Sequence, residues 1–274
     1  MSYTTFRAVS AYLLREARGN ELTYVETHPV GDPSILIAGQ RWQSGPVCTE
    51  RFFCEQEPAI LDRVTKRLVM WQTSVERPQP KGWWRFPLPC GVTRTGYAEI
   101  EDSEHYWKRW IKDARRLHAR WSQQTEYESR DATLEEYAAG FAAARPNFRL
   151  RPICIEMLRK KEECHPGLVR YRCIWHRGHP LPLGGSGTLD IPEAQASFLI
   201  STYFHPAHAR SNIGTGIIDD WFRQSVTRGL RYMDFDLFWR FGEPFSWRGF
   251  SRFKAQFGTR IIDYPRPFMR IVGF

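Results

Sequence analysis

No apolar run in the 274 residues approaches the roughly 18 to 20 needed to cross a bilayer, so the sequence offers no candidate membrane-spanning helix. The start, Met1-Ser-Tyr-Thr-Thr-Phe-Arg, has no basic end followed by an apolar stretch and does not read as a signal peptide. The six cysteines (Cys48, Cys54, Cys90, Cys154, Cys164, Cys173) form no C-x-x-C pair and no regular framework. In a chain of this size that predicts reduced thiols and a cytoplasmic setting. A G-x-S-x-G elbow, a Walker loop and a dinucleotide fingerprint are all missing, which argues against serine hydrolase, P-loop and Rossmann redox chemistry. Cys164, Cys173, His176 and His179 do not match structural zinc spacings, so no metal site is expected.

What is present is a globular, basic chain. Hydrophobic residues at 42% and aromatics at 15% suffice for a core in one large domain or two ordinary ones. A net charge of +9 points to an anionic partner: nucleic acid, nucleotide, phospholipid surface or phosphorylated substrate. The charge is concentrated, with six Lys or Arg between His105 and Trp121 and seven between Trp239 and Phe274.

Periodicity and breakers predict helices over 5–18 and 58–75, β-like stretches over 22–26 and 34–38, and a strand over 83–88. A helix over 104–124 carries the stripe Trp107, Trp110, Ala114, Leu117, Trp121, with basic residues elsewhere on its surface. Thr133-Leu-Glu-Glu136 is a capping box opening a helix to Ala144. Strands are expected over 168–175 and 184–190. Two blocks of similar α/β order make a duplicated architecture plausible, divided as 1–104, a basic connecting helix 105–125, and 126–274.

The stretch 196–264 carries the candidate chemistry. An apolar strand ends in Tyr203-Phe204, a polar loop follows, and Gly214-Thr215-Gly216 precedes a helical run from Ile217. The segment Arg210, Ser211, Asn212, Ile213, Gly214, Thr215, Gly216 is a candidate phosphate cradle, because glycine lets backbone N–H groups approach and a helix N-terminus adds positive charge; an ordinary tight turn is the alternative. Asp234 and Asp236, two apart on a strand, share a face and are candidates for accepting a proton from an amine or orienting it. Tyr203 is a candidate acid or hydrogen-bond donor. Lys254, among Phe250, Phe253 and Phe257, and its neighbour Arg252 are candidates for anionic substrate parts, with Trp247 beside them.

Tyr232-Met-Asp-Phe-Asp236, then Phe250-Ser-Arg-Phe-Lys254-Ala-Gln-Phe-Gly258, then Ile261-Ile-Asp-Tyr-Pro265, resembles the C-terminal signature of Fem-type aminoacyltransferases, with its F-K-x-x-F-G core. Ser44-Gly45-Pro46-Val47 is similar to that family's G-P-V loop, and Trp83-Trp-Arg-Phe-Pro87 to its R-x-E-P strand. The resemblance implies an α/β (α+β) fold of two GNAT-like domains, each a mixed sheet flanked by helices. It implies an N-acyltransferase taking an acyl or aminoacyl group from acyl-CoA or aminoacyl-tRNA to an amine, with a peptidoglycan precursor as one such acceptor and no tightly bound cofactor. Ser211-x-x-Gly214-x-Gly216 also resembles the acyl-CoA pyrophosphate loop of GNAT enzymes, although Arg210 stands one place early. The expected partners are an anionic or lipid-linked acceptor, tRNA as the alternative donor, and peripheral contact with a membrane, in a monomer or homodimer. A non-catalytic module of this fold that binds nucleic acid or another anion is the competing expectation.

Overall fold

The computed structural model describes residues 21–26, 37–44, 47–53, 57, 67–73, 76–86, 94–148, 151–164, 166–192, 195–241, 245 and 248–272. The helix expected over 5–18 lies outside them. The chain forms two units, one of residues 1–95, 237–248 and 261–274 and one of 96–236 and 249–260. They are not consecutive along the chain. Where the sequence reading placed 126–274 together, the last residues fold with the first unit, because a C-terminal strand completes its sheet.

That sheet has the order β1-β2-β3-β4-β13-β5. Its strands are β1 (Glu21–Glu26), β2 (Ile37–Ser44), β3 (Val47–Phe53), β4 (Arg67–Gln72) and β5 (Trp84–Arg85), with β13 (Phe268–Val272) from the C-terminus. β4 corrects the later part of the helix expected over 58–75, whose residues 58–66 lie outside the described ones. Ile60, Val64, Leu68 and Trp71 fit helical spacing, but Val69, Met70 and Trp71 are buried in succession, as in a strand covered on both faces. β4 pairs parallel to β3 and antiparallel to β13, and Trp71 packs against Trp83 and Phe268 at 5.4 and 5.3 Å between ring centres. Tertiary pairing has overridden a local period.

The second sheet has the order β12-β6-β11-β10-β9-β8-β7. In chain order its strands are β6 (Arg94–Glu99), β7 (Tyr127–Asp131), β8 (Val169–His176), β9 (Gly184–Ile191), β10 (Ala196–Phe204), β11 (Tyr232–Leu237) and β12 (Arg260–Asp263). The helices are α1 (Lys112–Trp121), α2 (Leu134–Ala144), α3 (Arg151–Cys164), α4 (Ile213–Thr227) and α5 (Arg248–Lys254). The α2 capping box forms as expected: Glu136 N–H donates to Thr133 Oγ1 at 3.2 Å and Thr133 N–H to Glu136 Oε2 at 2.9 Å. No helix among the described residues is long and apolar enough to cross a membrane.

β9 lets helices approach both faces of the sheet. A Cβ on Gly184 would meet Ile213 and Ile217 of α4, and one on Gly187 would meet Leu158 of α3 at 2.7 Å. α4 is pinned over the sheet by polar bonds. Trp221 Nε1 donates to Ser197 Oγ at 2.8 Å, Ser197 donates to Asp190 at 2.7 Å, and Arg228 pairs with Asp190 at 2.8 Å. All of Ser197, Asp190 and Trp221 are buried, where such bonds are costly to leave unmade.

The helix expected over 104–124 is interrupted. A 3-10 turn (Tyr106–Arg109) precedes extended backbone at Trp110 and Ile111, then α1 begins. Trp110 is 2% exposed and sets its ring edge-on to Phe222 and Phe257, while Ile111 N–H donates to the Gln256 carbonyl at 2.9 Å. Burying that indole and pairing with the 255–257 segment outweigh one continuous helix. Lys112, Arg115, Arg116 and Arg120 of α1 are all exposed.

Candidate active site

The strands β10 and β11 run parallel but pair only over Ala196–Phe198 and Tyr232–Asp234. β10 continues to Phe204 and β11 to Leu237, so their last residues lie beyond the shared ladder. The register with β9 shifts between Leu199 and Ser201, leaving Ile200 without a partner in either neighbouring strand. The bulge also swaps faces. Ser197 bonds Trp221 on the α4 side, whereas Ser201 accepts from Tyr137 at 3.0 Å and Tyr203 stacks on Phe141 at 5.0 Å on the α2 side. Carboxyl ends of parallel strands at such a break are where α/β sheets hold ligands.

β10 passes through His205 and a 3-10 turn (Pro206–Ser211) to Asn212, whose φ of 65° opens α4. The glycines therefore lie inside the first turns of a helix, correcting the expected glycine loop before Ile217. They do different work. A Cβ on Gly216 would sit 2.1 Å from Trp121 Cε2, and Trp121 packs with Ile174, Leu183, Ile213 and Ile217, so this glycine exists for packing. A Cβ on Gly214 would meet Phe253 at 3.6 Å and Phe204 at 3.8 Å, which is ordinary contact. Gly216→Ala should cost about 2 kcal/mol in denaturant unfolding, overpacking exceeding the helix-propensity gain, while Gly214→Ala should be near neutral. Equal stability of the two variants would contradict the packing role.

Within 210–216, Arg210 is exposed, Asn212 and Gly214 are half-buried, and Ile213, Thr215 and Gly216 are buried. Ser211 Oγ donates back to the His208 carbonyl at 2.6 Å. Arg210, Ser211, Asn212 and Gly214 thus offer accessible surface to a donor, with the Ser211 hydroxyl proton already engaged.

Asp234 is buried, and its Oδ1 accepts the Asp236 N–H at 2.6 Å. Asp236 is half-buried with φ of 62°, a conformation that costs a non-glycine residue about 1 kcal/mol or more and that clusters at functional sites. Lys254 Nζ donates to the Phe235 carbonyl and lies 4.9 Å over the Phe250 ring, tying α5 to β11. Arg252 is exposed on α5, and Trp247 lies outside the described residues. Tyr203 is 3% exposed; its hydroxyl is 3.8 Å from Cys173 Sγ, and burial raises its pKa far above the ordinary phenol value. A hydroxyl so enclosed against α2 is built for packing rather than proton transfer. Burial likewise pushes the Cys173 thiol up to about 12, which makes it inert.

Two polar clusters were not assembled from the sequence. In one, Asp219 of α4 accepts from Tyr106 at 2.6 Å and pairs with His118 at 2.8 Å and Arg223 at 3.2 Å. Burial pushes the Asp219 carboxyl up, but the hydrogen bonds from His118 and Tyr106 outweigh it and hold the pKa below its ordinary value. In the other, Tyr127, His176, His205 and His208 meet beside the start of α4. The His-x-x-His spacings 176–179 and 205–208 were the only signal in the sequence for that second cluster.

No protein-family model and no curated protein matches the chain. Solved structures do. FemX superimposes with a TM-score of 0.69 at 9% identity, over 98% of this chain and 96% of that one. The C-terminal domain of a protein provisionally named a lysylphosphatidylglycerol synthetase, from Agrobacterium fabrum, gives 0.58 at 10% identity, over 95% and 86%. A tandem GNAT protein from the clavulanic acid biosynthesis pathway gives 0.52 at 10% identity, over 99% and 97%. At such identities the likeness is one of fold. This chain has the Fem-like tandem GNAT fold.

Proposed function

We propose that the protein is an N-acyltransferase of the GNAT type, moving an acyl or aminoacyl group onto an amine. The observation that carries this is the parting of β10 and β11 with the Ile200 bulge on one side, Asp236 on the other, and the N-terminus of α4 following β10 after one 3-10 turn. A carbonyl placed between the strands would meet the unpaired backbone at Ile200, which supplies an oxyanion donor. The amine nitrogen attacks the carbonyl carbon and forms the C–N bond. Its proton passes to the Asp236 carboxylate, Asp234 positioning that residue through its backbone N–H. The C–S or C–O bond to the donor then breaks, and the leaving sulfur or oxygen takes up the proton that Asp236 gives back, directly or through water, which restores the carboxylate. Positioning supplies much of the rate.

Arg210, Asn212 and Gly214 are the proposed contacts for donor phosphates, and Arg252 for an anionic part of the acceptor; Lys254 acts by holding α5 to β11. The tandem GNAT neighbour was solved without acetyl-CoA, a ligand its structure is thus defined against, and another neighbour is a domain of a protein provisionally named a lysylphosphatidylglycerol synthetase. These support an acyl-CoA donor and a lipid-linked acceptor; the Fem resemblance adds aminoacyl-tRNA and a peptidoglycan precursor, handled in the cytoplasm at a membrane face. Calorimetric titration with acetyl-CoA and with charged tRNA decides the donor. Gly214→Asp is the matched variant. An acid in the first turn of α4 favours the helix, so the protein stays folded, yet it repels phosphate, so donor affinity should fall at least tenfold. Unchanged affinity removes the donor site from α4.

The exposed basic face of α1 favours a second reading, a non-catalytic module on nucleic acid. That reading predicts binding of uncharged RNA with a steep salt dependence and no acyl turnover.

A further inference from the structure

We propose that His176, His205 and His208, backed by Tyr127 and His179, form a proton-gated site for a doubly charged anion of the phosphate-ester class. It shares Arg210 and the N-terminus of α4 with the proposed donor site and rests on that reading, whichever acyl donor is used. His208 Nδ1 meets the Tyr127 hydroxyl at 3.1 Å, and its ring centre lies 5.8 Å from that of His205 and 6.2 Å from that of His176. Tyr127 sets its ring edge-on to His176 at 5.2 Å. The three imidazoles are half-buried, and His179 is exposed on the turn after β8.

What distinguishes these rings is their partners. His105 pairs with Asp102 at 3.2 Å and His118 with Asp219 at 2.8 Å, so each has a carboxylate to balance a proton. The clustered rings have neutral partners instead. His176 Nδ1 bonds the Arg177 carbonyl at 3.0 Å, His179 Nδ1 the Leu181 carbonyl at 2.8 Å, and His205 Nδ1 accepts from Ala207 N–H at 3.3 Å. The charged residues bordering the cluster are Glu126 and Arg177 at the strand ends, Arg210 in the same turn, and Arg145, whose guanidinium lies 5.4 Å over Phe204. Tyr127 and Phe204 both pack on the core that holds Ile213, which places the imidazoles beside the positive end of α4.

The His208 pKa is lowered by burial and then by His205, His176 and His179. A folded-state pKa below the unfolded value of about 6.5 means that stability is full above that value and is lost as pH falls from there through the lower folded value. An anion reverses the balance by supplying the missing countercharge. Anion binding and protonation then strengthen each other, as linkage requires. Phosphate chemistry fits because the site offers several N–H donors, a helix N-terminus and flanking arginines.

Sulfate is the probe, since its charge stays constant over the range in which phosphate esters themselves titrate. Calorimetry at pH 5.5 and 7.5, in pairs of buffers differing in ionisation enthalpy, should give at least tenfold tighter binding at pH 5.5 with uptake of about one proton. Ring NMR signals of His208 should titrate higher when sulfate is saturating. His205→Gln combined with His208→Gln should abolish the pH dependence, whereas His105→Gln, at a carboxylate-paired ring, should keep it; thermal melts establish that each variant is folded. Equal affinity at both pH values, or a pH dependence retained by the double variant, overturns the proposal. Two competitors then identify the source of the phosphate. Displacement by CoA assigns a soluble nucleotide, and displacement by phosphatidylglycerol but not phosphatidylcholine vesicles assigns a lipid headgroup. Sulfate displaced by neither marks an adventitious ion only and also overturns the assignment.

Discussion

Asp220→Ala should destabilise the protein by about 3 kcal/mol, at the low end of the 3 to 5 typical of breaking a buried ion pair. Arg172 of β8 grips Asp220 of α4 with two hydrogen bonds, Nε at 2.8 Å and Nη2 at 3.0 Å, and their side chains are 14% and 5% exposed. Removing the carboxylate leaves a guanidinium under α4 with Asp131 at 3.0 Å and Ser129 at 3.3 Å as partners, which softens the loss without cancelling it. For a protein of this size, that energy corresponds to a melting temperature lower by about 6 to 12 °C. Arg172→Met with Asp220→Leu should recover most of it, because apolar groups of similar volume avoid the desolvation cost. A double variant as unstable as the single one would mean that the pair's charge contributes more than its burial costs.

The neighbouring Asp219 makes a pH prediction of definite sign. Its folded-state pKa is depressed below the unfolded value, so its contribution is present above about pH 4 and disappears as pH falls through the folded value. His118→Gln should flatten the acid limb of a stability-against-pH curve. An unchanged limb would place acid sensitivity elsewhere.

How much of this was legible beforehand differs from element to element. The α2 capping box, the strands β8 to β11 and the α5 segment follow from local chemistry, and the duplicated α/β order with its Fem resemblance led to the fold. β4 did not follow: Leu68 and Trp71 satisfy a helical period and a buried strand equally, and pairing with β3 and β13 decided between them. β7, Tyr127–Asp131, is a polar strand at the sheet's edge, recognisable only through its pairing with β8. Trp110 interrupted a helix for the sake of contacts with residues more than a hundred positions away. At the site, the strand, the presence of the helix after it and the paired aspartates were legible, but not that the helix begins at Ile213 and takes in both glycines. The bulge at Ile200 was not, and it turned Tyr203 to the opposite face from Ser197. Nor could sequence show that Gly214 and Gly216, two residues apart, serve access and packing respectively, since the indole of Trp121 is what separates them.

Asp236→Asn should lower kcat/KM by about 10²- to 10⁴-fold with little change in stability, provided that the proposed transfer is the reaction. Asparagine keeps the shape of the side chain and tolerates the left-handed backbone at φ of 62°, so the fold has no reason to respond. What disappears is the charge that accepts the amine proton. Asp236→Gly separates the two functions of this residue. It relieves the backbone conformation, so the unfolding midpoint should hold or rise, while turnover falls as far as in the asparagine variant. Asp234→Asn should behave differently, because the amide oxygen still accepts the Asp236 N–H that now spans 2.6 Å. Its effect should be smaller and fall on kcat through placement. If both Asp236 variants retain turnover, the amine loses its proton to solvent, and the unusual backbone at the end of β11 serves only to part the strands.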